Sequence, residues 1–454
     1  MNLSENQWRK LLYLVDEGVL MTETMTPKGY LPRVVDRQVD RYLRIFGAVE
    51  IAGTKWCGKT WTTLHHASSV SYVDDNVALA KSDPSLMLLG AKPHAVDEWQ
   101  LAPRIWDATR RAVDAERGLR GGWILTGSST PLVRDGGADA PSHTGAGRIG
   151  RIRMYPMTLA ESGDSNGSVS LAGLFAGEFQ PAVCDDDSMA LIKLCCRGGW
   201  PEAIDMDVES AQALAREYLK LFYSESAERA GKDADVAAKL VGSLARNLAQ
   251  AVTYKTLVCD MYGEEEDASS MVSEQTVASY LTFLKASYLV DEVPGWVPPT
   301  RSRKRLATKP KRYLADPSLA AAQLGMGPSA LLADWQTFGL LFESLCMRDL
   351  TVYARALPEI GFEPVRYYRD DTGLEADAVV ELADGRWAAF EFKVSEDRVQ
   401  DAVDNLLRLK RKLCAKGASR TREPEFLAVV TGLSKYARVT PEGVYVIPIR
   451  ALTA

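Results

Sequence analysis

The chain has 454 residues, 46% apolar and 25% charged, which excludes a disordered or fibrous polymer and leaves ample length for buried cores. At about 100–200 residues per domain, this length predicts two to four domains. The 54 Lys and Arg against 60 Asp and Glu leave a net charge of −6, so any nucleic-acid contact must come from a local basic patch.

No uninterrupted apolar run nears the ~18 residues of a membrane helix, and the N-terminal MNLSENQWRKLLYLVDEGVL mixes charges into its apolar positions and lacks a cleavage site. The expectation is a cytoplasmic protein with no membrane partner. Its seven cysteines (57, 184, 195, 196, 259, 346 and 414) form no CxxC pair, and its four histidines form no HExxH, so reduced thiols without structural zinc are expected.

In chain order, residues 6–15 and 36–46 read as helices, the second with Val35, Val39, Tyr42 and Leu43 at helical spacing. GAVEIA (47–52) reads as a buried strand, AKPHAVD (91–97) as a weaker one and GWILT (122–126) as a clear one, with helices near 59–66 and 101–117 between them. That alternation predicts an open α/β sheet. A Gly-, Ala-, Pro- and Asp-rich loop follows at 130–147. From 205 to 290 the signal is helical. Val236, Leu240, Leu244 and Leu248 recur every four residues, and Ser273 precedes Val277, Tyr280, Leu281 and Leu284 as a cap candidate. After a Pro-rich basic stretch at 294–312, the last block mixes strands with helices at 334–350 and 396–414.

Strand 47–52 runs into GTKWCGKT, which fits G-x-x-x-x-G-K-[ST] through Gly53, Gly58, Lys59 and Thr60. A loop wrapping a polyphosphate needs inward backbone N–H groups from Gly53, Thr54, Lys55, Trp56, Cys57 and Gly58, and glycine permits the tight turn. The helix then offers its positive N-terminal end. Lys59 would neutralise phosphate and Thr60 would bind magnesium. HAVDEWQ supplies the acidic partners: Asp97 for the metal and Glu98 for the attacking water. At the third strand's end, Ser128 is a candidate sensor of the terminal phosphate, with a plain Gly/Ser turn as the alternative. Arg148, Arg151 and Arg153 follow. Arg148 is the candidate for a transition-state phosphate, in cis or from a neighbouring subunit, and a solvated strand face is the alternative.

The order GTKWCGKT, VDEWQ, WILTGSS, GRIGRIRMYPMTLAESG and GGWPE, continued by KPKRYLADPSL, GLLFESLCMRDL, YYRDDTGLEADAVVE and AAFEFKVS, resembles bacterial and archaeal AAA-type ATPases with a C-terminal domain of unknown function. That C-terminal domain is similar in fold to PD-(D/E)XK nucleases. The likeness runs over nearly the whole chain from about residue 28. It implies ATP and Mg2+ as cofactors and an ATPase activity. The expected architecture is an N-terminal helical lead-in (1–27), an α/β P-loop NTPase core of AAA type (28–204), a helical/winged-helix domain (205–324) and an α/β PD-(D/E)XK nuclease-like domain (325–454).

In ADAVVELADGRWAAFEFKV the apolar residues fall at even positions on both sides of Asp384-Gly385. A two-residue turn would split those faces, so register predicts a three- or five-residue loop or a bulge. Asp377, Glu391 and Lys393 then share the opposite face, which is what a magnesium-dependent phosphodiester-cleaving site requires. The resemblance adds Glu343 from the preceding helix, and Glu375 lies on the same side. A solvated sheet face or an inert nuclease fold is the alternative.

RSRKRLATKPKR (301–312) carries seven basic residues and no acid. After helix 273–286 and a short strand it predicts the basic wing of a winged helix, able to touch a DNA backbone without sequence choice. A solubilising loop is the alternative. The leading reading is therefore an ATPase whose nucleotide state moves this module on DNA. The rivals are a nucleotide-controlled switch that holds a protein partner, and an ATP-dependent nuclease. Homo-oligomerisation stays open.

Overall fold

The computed structural model describes residues 25–131, 143–263, 271–298, 308–358, 360–414 and 421–454. The expected helix at 6–15, residues 132–142 of the 130–147 loop and residues 301–307 of the basic stretch lie outside them.

Helix α1 (Asp36–Ile45) leads into β1 (Ala48–Gly53), α2 (Lys59–His66), β2 (Ser69–Tyr72), β3 (His94–Asp97), α3 (Arg104–Ala115), β4 (Trp123–Gly127) and β5 (Ile149–Met154). The five strands are all parallel, in the order β2-β3-β4-β1-β5. A parallel sheet covered on both faces needs apolar side chains on both sides. Val49, Ile51, Ile124 and Ile152 accordingly pack with Val39 and Ala67 on one face, while Ala48, Val96 and Leu125 pack with Ile105 and Trp106 on the other. His94, which dilutes the apolar signal of β3, is buried but satisfied by Ser69 Oγ at 2.6 Å and the Met87 carbonyl at 3.0 Å. The half-exposed edge strand β2 has no apolar run and leaves no signature in the sequence.

The helices that follow are α4 (Ser188–Arg197), α5 (Val208–Leu221), α6 (Ala234–Arg246), α7 (Tyr254–Tyr262) and α8 (Glu274–Ala286). Each begins where an Asp, Thr or Ser side chain accepts a free backbone N–H: Asp187, Asp207, Asp233, Thr253 and Ser273. An antiparallel hairpin comes next, β6 (Val290–Val293) and β7 (Lys311–Leu314), pairing Val290 with Leu314 and Val293 with Lys311.

The last block is α9 (Trp335–Arg355), β8 (Arg366–Arg369), β9 (Glu375–Glu381), β10 (Trp387–Lys393), α10 (Val399–Cys414), β11 (Phe426–Thr431), β12 (Tyr436–Val439) and β13 (Tyr445–Pro448). Its mixed sheet runs β8-β9-β10-β11-β13-β12 and ends on the two residues Ala182–Val183. The β9–β10 hairpin pairs Glu381 with Trp387 and Leu382 N–H with the Arg386 carbonyl, closing a three-residue loop as the alternation required. Ala378, Val380, Leu382, Ala388, Phe390 and Phe392 join the core that contains α9, and Ala376, Val379, Trp387 and Ala389 pack with α10.

No gap in the core marks residues 204 or 324. One apolar cluster runs from Leu159 through the middle helices to Leu452, and Val169–Ser170 pairs in parallel with Leu452–Thr453. A buried ionic joint reinforces this continuity. Arg348 reaches Asp316 at 2.6 Å and Asp349 at 2.7 Å; Asp316 also accepts from Gly199 N–H at 3.0 Å, and Asp349 from Leu159 N–H at 2.9 Å. A Cβ on Gly198 would lie 2.4 Å from Asp316 Oδ1, so that glycine lets the chain approach the joint. Among the described residues, no helix is long and apolar enough to cross a membrane.

Candidate functional site

The loop Gly53–Thr60 joins the C-terminal end of β1 to α2, where open α/β sheets bind ligands. A Cβ on Gly53 would stand 2.3 Å from the Met154 carbonyl, and Gly58 has φ +98°, so both glycines are required by the turn. Gly58 offers no side-chain cap, which leaves the first N–H groups of α2 without a capping side chain. Lys59 is buried and donates to the Thr54 carbonyl at 2.8 Å. Thr54 Oγ1 is buried without a hydrogen-bond partner. Trp56, with φ +66°, sets its ring edge-on to Tyr218 at 5.4 Å, and Cys57 is fully buried beneath the loop.

At the end of β3, Asp97 accepts from Thr60 Oγ1 at 3.1 and 3.2 Å and from the Thr126 hydroxyl. Burial raises the Asp97 carboxyl above its ordinary range, against the bond from Thr126. Glu98 sits in the left-handed region at φ +57°, held there as its N–H donates to Thr126 Oγ1 at 3.0 Å. Its carboxylate accepts from Ser128 Oγ at 3.0 Å and from the Gln100 amide. Gln100 Oε1 is a second buried atom without a partner. Lys59, Thr60, Asp97, Glu98 and Ser128 are thus brought together, and Lys55 and Trp56 join the rim.

All of these except Asp97 line a cavity of about 1550 Å³. Across it stand Tyr218, Phe222 and Phe283 from the middle helices, with Arg229 and Lys232. A loop of converging N–H groups with a lysine, a hydroxyl–carboxylate pair and a second carboxylate suits a polyphosphate with a hard cation. Gln100 lines the cavity, so its orphaned oxygen is a polar atom that such a ligand or its waters can satisfy.

Arg148 is not among these groups. It precedes β5, whose register places Ile149 beside Ala48 and Met154 beside Gly53. It therefore lies at the opposite end of the sheet, about 20 Å along the strand at ~3.3 Å per residue. There it pairs with Asp114 at 2.8 Å. Arg151 pairs with the buried Glu50, and Arg153 stacks on Tyr155 and Tyr288. A role for Arg148 on its own chain's site is excluded by this placement. The arginine that does reach the loop is Arg33, donating to the Cys57 carbonyl at 2.9 Å and the Tyr155 carbonyl at 2.8 Å and pairing with Glu161 at 3.1 Å. Nothing in PRVVD marks it, because its partners lie far away in sequence.

The second constellation lies in the C-terminal sheet. Asp377, Glu391 and Lys393 share one face, with Glu343 of α9 and Glu375 beside them. Lys393 reaches Glu391 at 2.6 Å and Asp377 at 3.7 Å. The unexpected member is Lys311 of β7, whose Nζ lies 2.8 Å from Glu375, 3.0 Å from Glu343 and 3.8 Å from Asp377. Asn405 and Tyr313 donate to Glu391 and Glu343 at 2.6 and 2.9 Å. Burial and then Asp377 push Glu343 up to about 7 and Glu391 up to about 8, while the lysines work against this. The acids do not fit a Mg2+ centre. Mg2+ needs oxygens at ~2.0–2.1 Å, whereas here an ammonium lies between them. Among the described residues, the His, Cys, Asp and Glu group whose ligand atoms lie within 4.8 Å of one another is Asp36, His65 and His66 instead. All seven cysteines are free.

The basic stretch is only partly a surface. Lys311 and Arg312 are about 95% buried, and Arg312 pairs with Glu292 at 3.0 Å, so neither can meet a DNA phosphate.

Two sequence-family models match the chain, each described as a domain of unknown function: DUF8612 over residues 189–330 and DUF4143 over residues 338–452. No curated protein matches it. Among solved structures, the Walker-type ATPase PABY2304 of Pyrococcus abyssi is similar over 67% of this chain and 99% of its own, at 11% identity and a TM-score of 0.44.

Proposed function

We propose that this chain binds ATP with Mg2+ in the crevice at the end of β1 and hydrolyses it. The observation that carries this reading is the meeting of Thr60 with Asp97, 3.1 Å apart, beside a buried Lys59 and with Glu98 next in sequence. Gly53, Thr54, Lys55, Trp56, Cys57 and Gly58 would cradle the phosphates, and Lys59 would offset their charge. Thr60 and Asp97 would hold the cation, which supplies charge neutralisation when bound. Glu98 would orient and deprotonate water, and Ser128 would link its carboxylate to the phosphate end of the crevice. The far wall belongs to α5, α8 and the turn between α5 and α6, so nucleotide would contact the middle helices directly.

Purified chain should release phosphate from ATP only with Mg2+; Lys59→Ala should abolish release and Glu98→Gln should lower it by about 100-fold or more. If the unaltered chain releases none with or without DNA, the reading fails.

For the output of this cycle, a nucleotide-controlled switch that holds a protein partner is favoured over DNA cleavage. The observation is Lys311, which fills the acidic site. DNA contact through Arg301, Arg303, Lys304 and Arg305 remains the competing reading. Under it, binding to mixed-sequence DNA must weaken steeply with salt.

A further inference from the structure

We infer that Lys311 is the resident cation of the C-terminal acidic site, which therefore takes no divalent metal and cuts no phosphodiester. The site serves instead as the joint that locks the β6–β7 hairpin onto the C-terminal sheet. This inference is independent of the nucleotide reading.

The four carboxylates of Glu343, Glu375, Asp377 and Glu391 come from α9, β9 and β10, and without cations they would repel one another at close range. Two ammonium groups offset them. Lys393 belongs to the same sheet and serves Glu391 and Asp377. Lys311 comes from the hairpin, is 4% exposed, and directs its ammonium at Glu375, Glu343 and Asp377.

Three of the four acids also accept hydrogen bonds. Tyr313 donates to Glu343, Asn405 to Glu391 and Phe392 N–H to Asp377 at 2.8 Å. Tyr313 lies two residues after Lys311 on β7, so one strand delivers both the cation and a hydrogen bond. A metal ion would have to expel Lys311 and leave its ammonium buried without a counter-charge, which is strongly unfavourable. A flexible surface lysine would yield easily. The backbone of this one is held in place, because Val293 pairs with Lys311 and the neighbouring Arg312 is anchored to Glu292 and the Val252 carbonyl.

The joint also has a mechanical consequence. Hairpin β6–β7 follows α8, whose Ser279, Thr282, Phe283 and Ala286 line the large cavity. Lys311 thus fixes the segment leaving the cavity wall to the C-terminal acids.

The test uses the full-length, nucleotide-free chain titrated with Mn2+ alone and read by electron paramagnetic resonance. Wild type and Asp377→Asn should bind the same amount of Mn2+. Lys311→Met should gain about one Mn2+ per chain, a gain absent in Lys311→Arg and removed when Asp377→Asn is added. A wild-type Mn2+ site lost in Asp377→Asn would overturn the inference, as would a folded Lys311→Met that gains none. The wild-type comparison decides even if Lys311→Met does not fold. Plasmid DNA incubated with the wild type and Mg2+ should stay intact, and cleavage that disappears in Asp377→Asn would also overturn it.

Discussion

Thr60 Oγ1 stands within 3.2 Å of both oxygens of Asp97, so the first turn of α2 and the end of β3 meet although β4 separates their strands. A parallel sheet makes this meeting possible by delivering every strand's C-terminal end to one edge. Glu98→Gln should lower ATP turnover by about 10²–10⁴-fold, the usual worth of a general base, while ATP still binds. Thr60→Ala should instead raise the Mg2+ needed for half-maximal turnover. Phosphate release at varied Mg2+ and equilibrium binding of labelled ATP separate the two effects.

Arg148→Ala should leave phosphate release unchanged when measured on isolated protomers, because its partner is Asp114 at the far end of the sheet. Arg33→Ala removes charged hydrogen bonds to two buried carbonyls and the ion-pair partner of Glu161, which keeps its bonds from Val34 and Thr158. It should cost about 1.5–3 kcal/mol in denaturant unfolding.

Breaking the Arg348 joint should be more damaging. Arg348→Met leaves Asp316 and Asp349 buried and unpaired, and such losses cost about 3–5 kcal/mol. Burial already pushes Asp349 up to about 6 against the pull of Arg348, so the variant should recover part of its stability in mild acid. Urea unfolding at two pH values tests both statements.

His66 predicts a loss of stability at the alkaline side. Burial pulls its pKa down, but hydrogen bonds and charges from Asp36 and Asp40 outweigh this and hold it up at about 9. The folded chain therefore holds this proton more tightly than the unfolded chain, whose histidine titrates near 6.5. Stabilisation is complete below 6.5 and is lost as pH rises through about 9. Because Asp40 is half-exposed, the effect should be on the order of 1–2 kcal/mol. Over that window the denaturant midpoint should fall more steeply in wild type than in His66→Gln. Equal slopes would refute the assignment.

Local chemistry was legible in the sequence. The Gly53–Thr60 loop, α2, the cap at Ser273, and the register of the β9–β10 hairpin each follow from residues within a few positions of one another. Edge strand β2 was not legible, because a half-exposed SVSY has neither an apolar run nor a strict alternation. The ends of the helices shifted by a few residues for the same local reasons.

What lay beyond the sequence was the pairing of distant charges. Seven basic residues in 301–312 read as one solvated arm, yet Lys311 and Arg312 turn inward to Glu375 and Glu292. Arg148 reads as a neighbour of the phosphate loop, yet the parallel register carries it to the opposite edge. Composition, periodicity and the glycine-lysine loop by themselves determined a multi-core α/β chain with a G-x-x-x-x-G-K-[ST] turn between a buried strand and a helix. Only the tertiary structure decided which charges remain available, because an ion pair depends on the distance between side chains and on the water excluded around them. Neither quantity is carried by residue order.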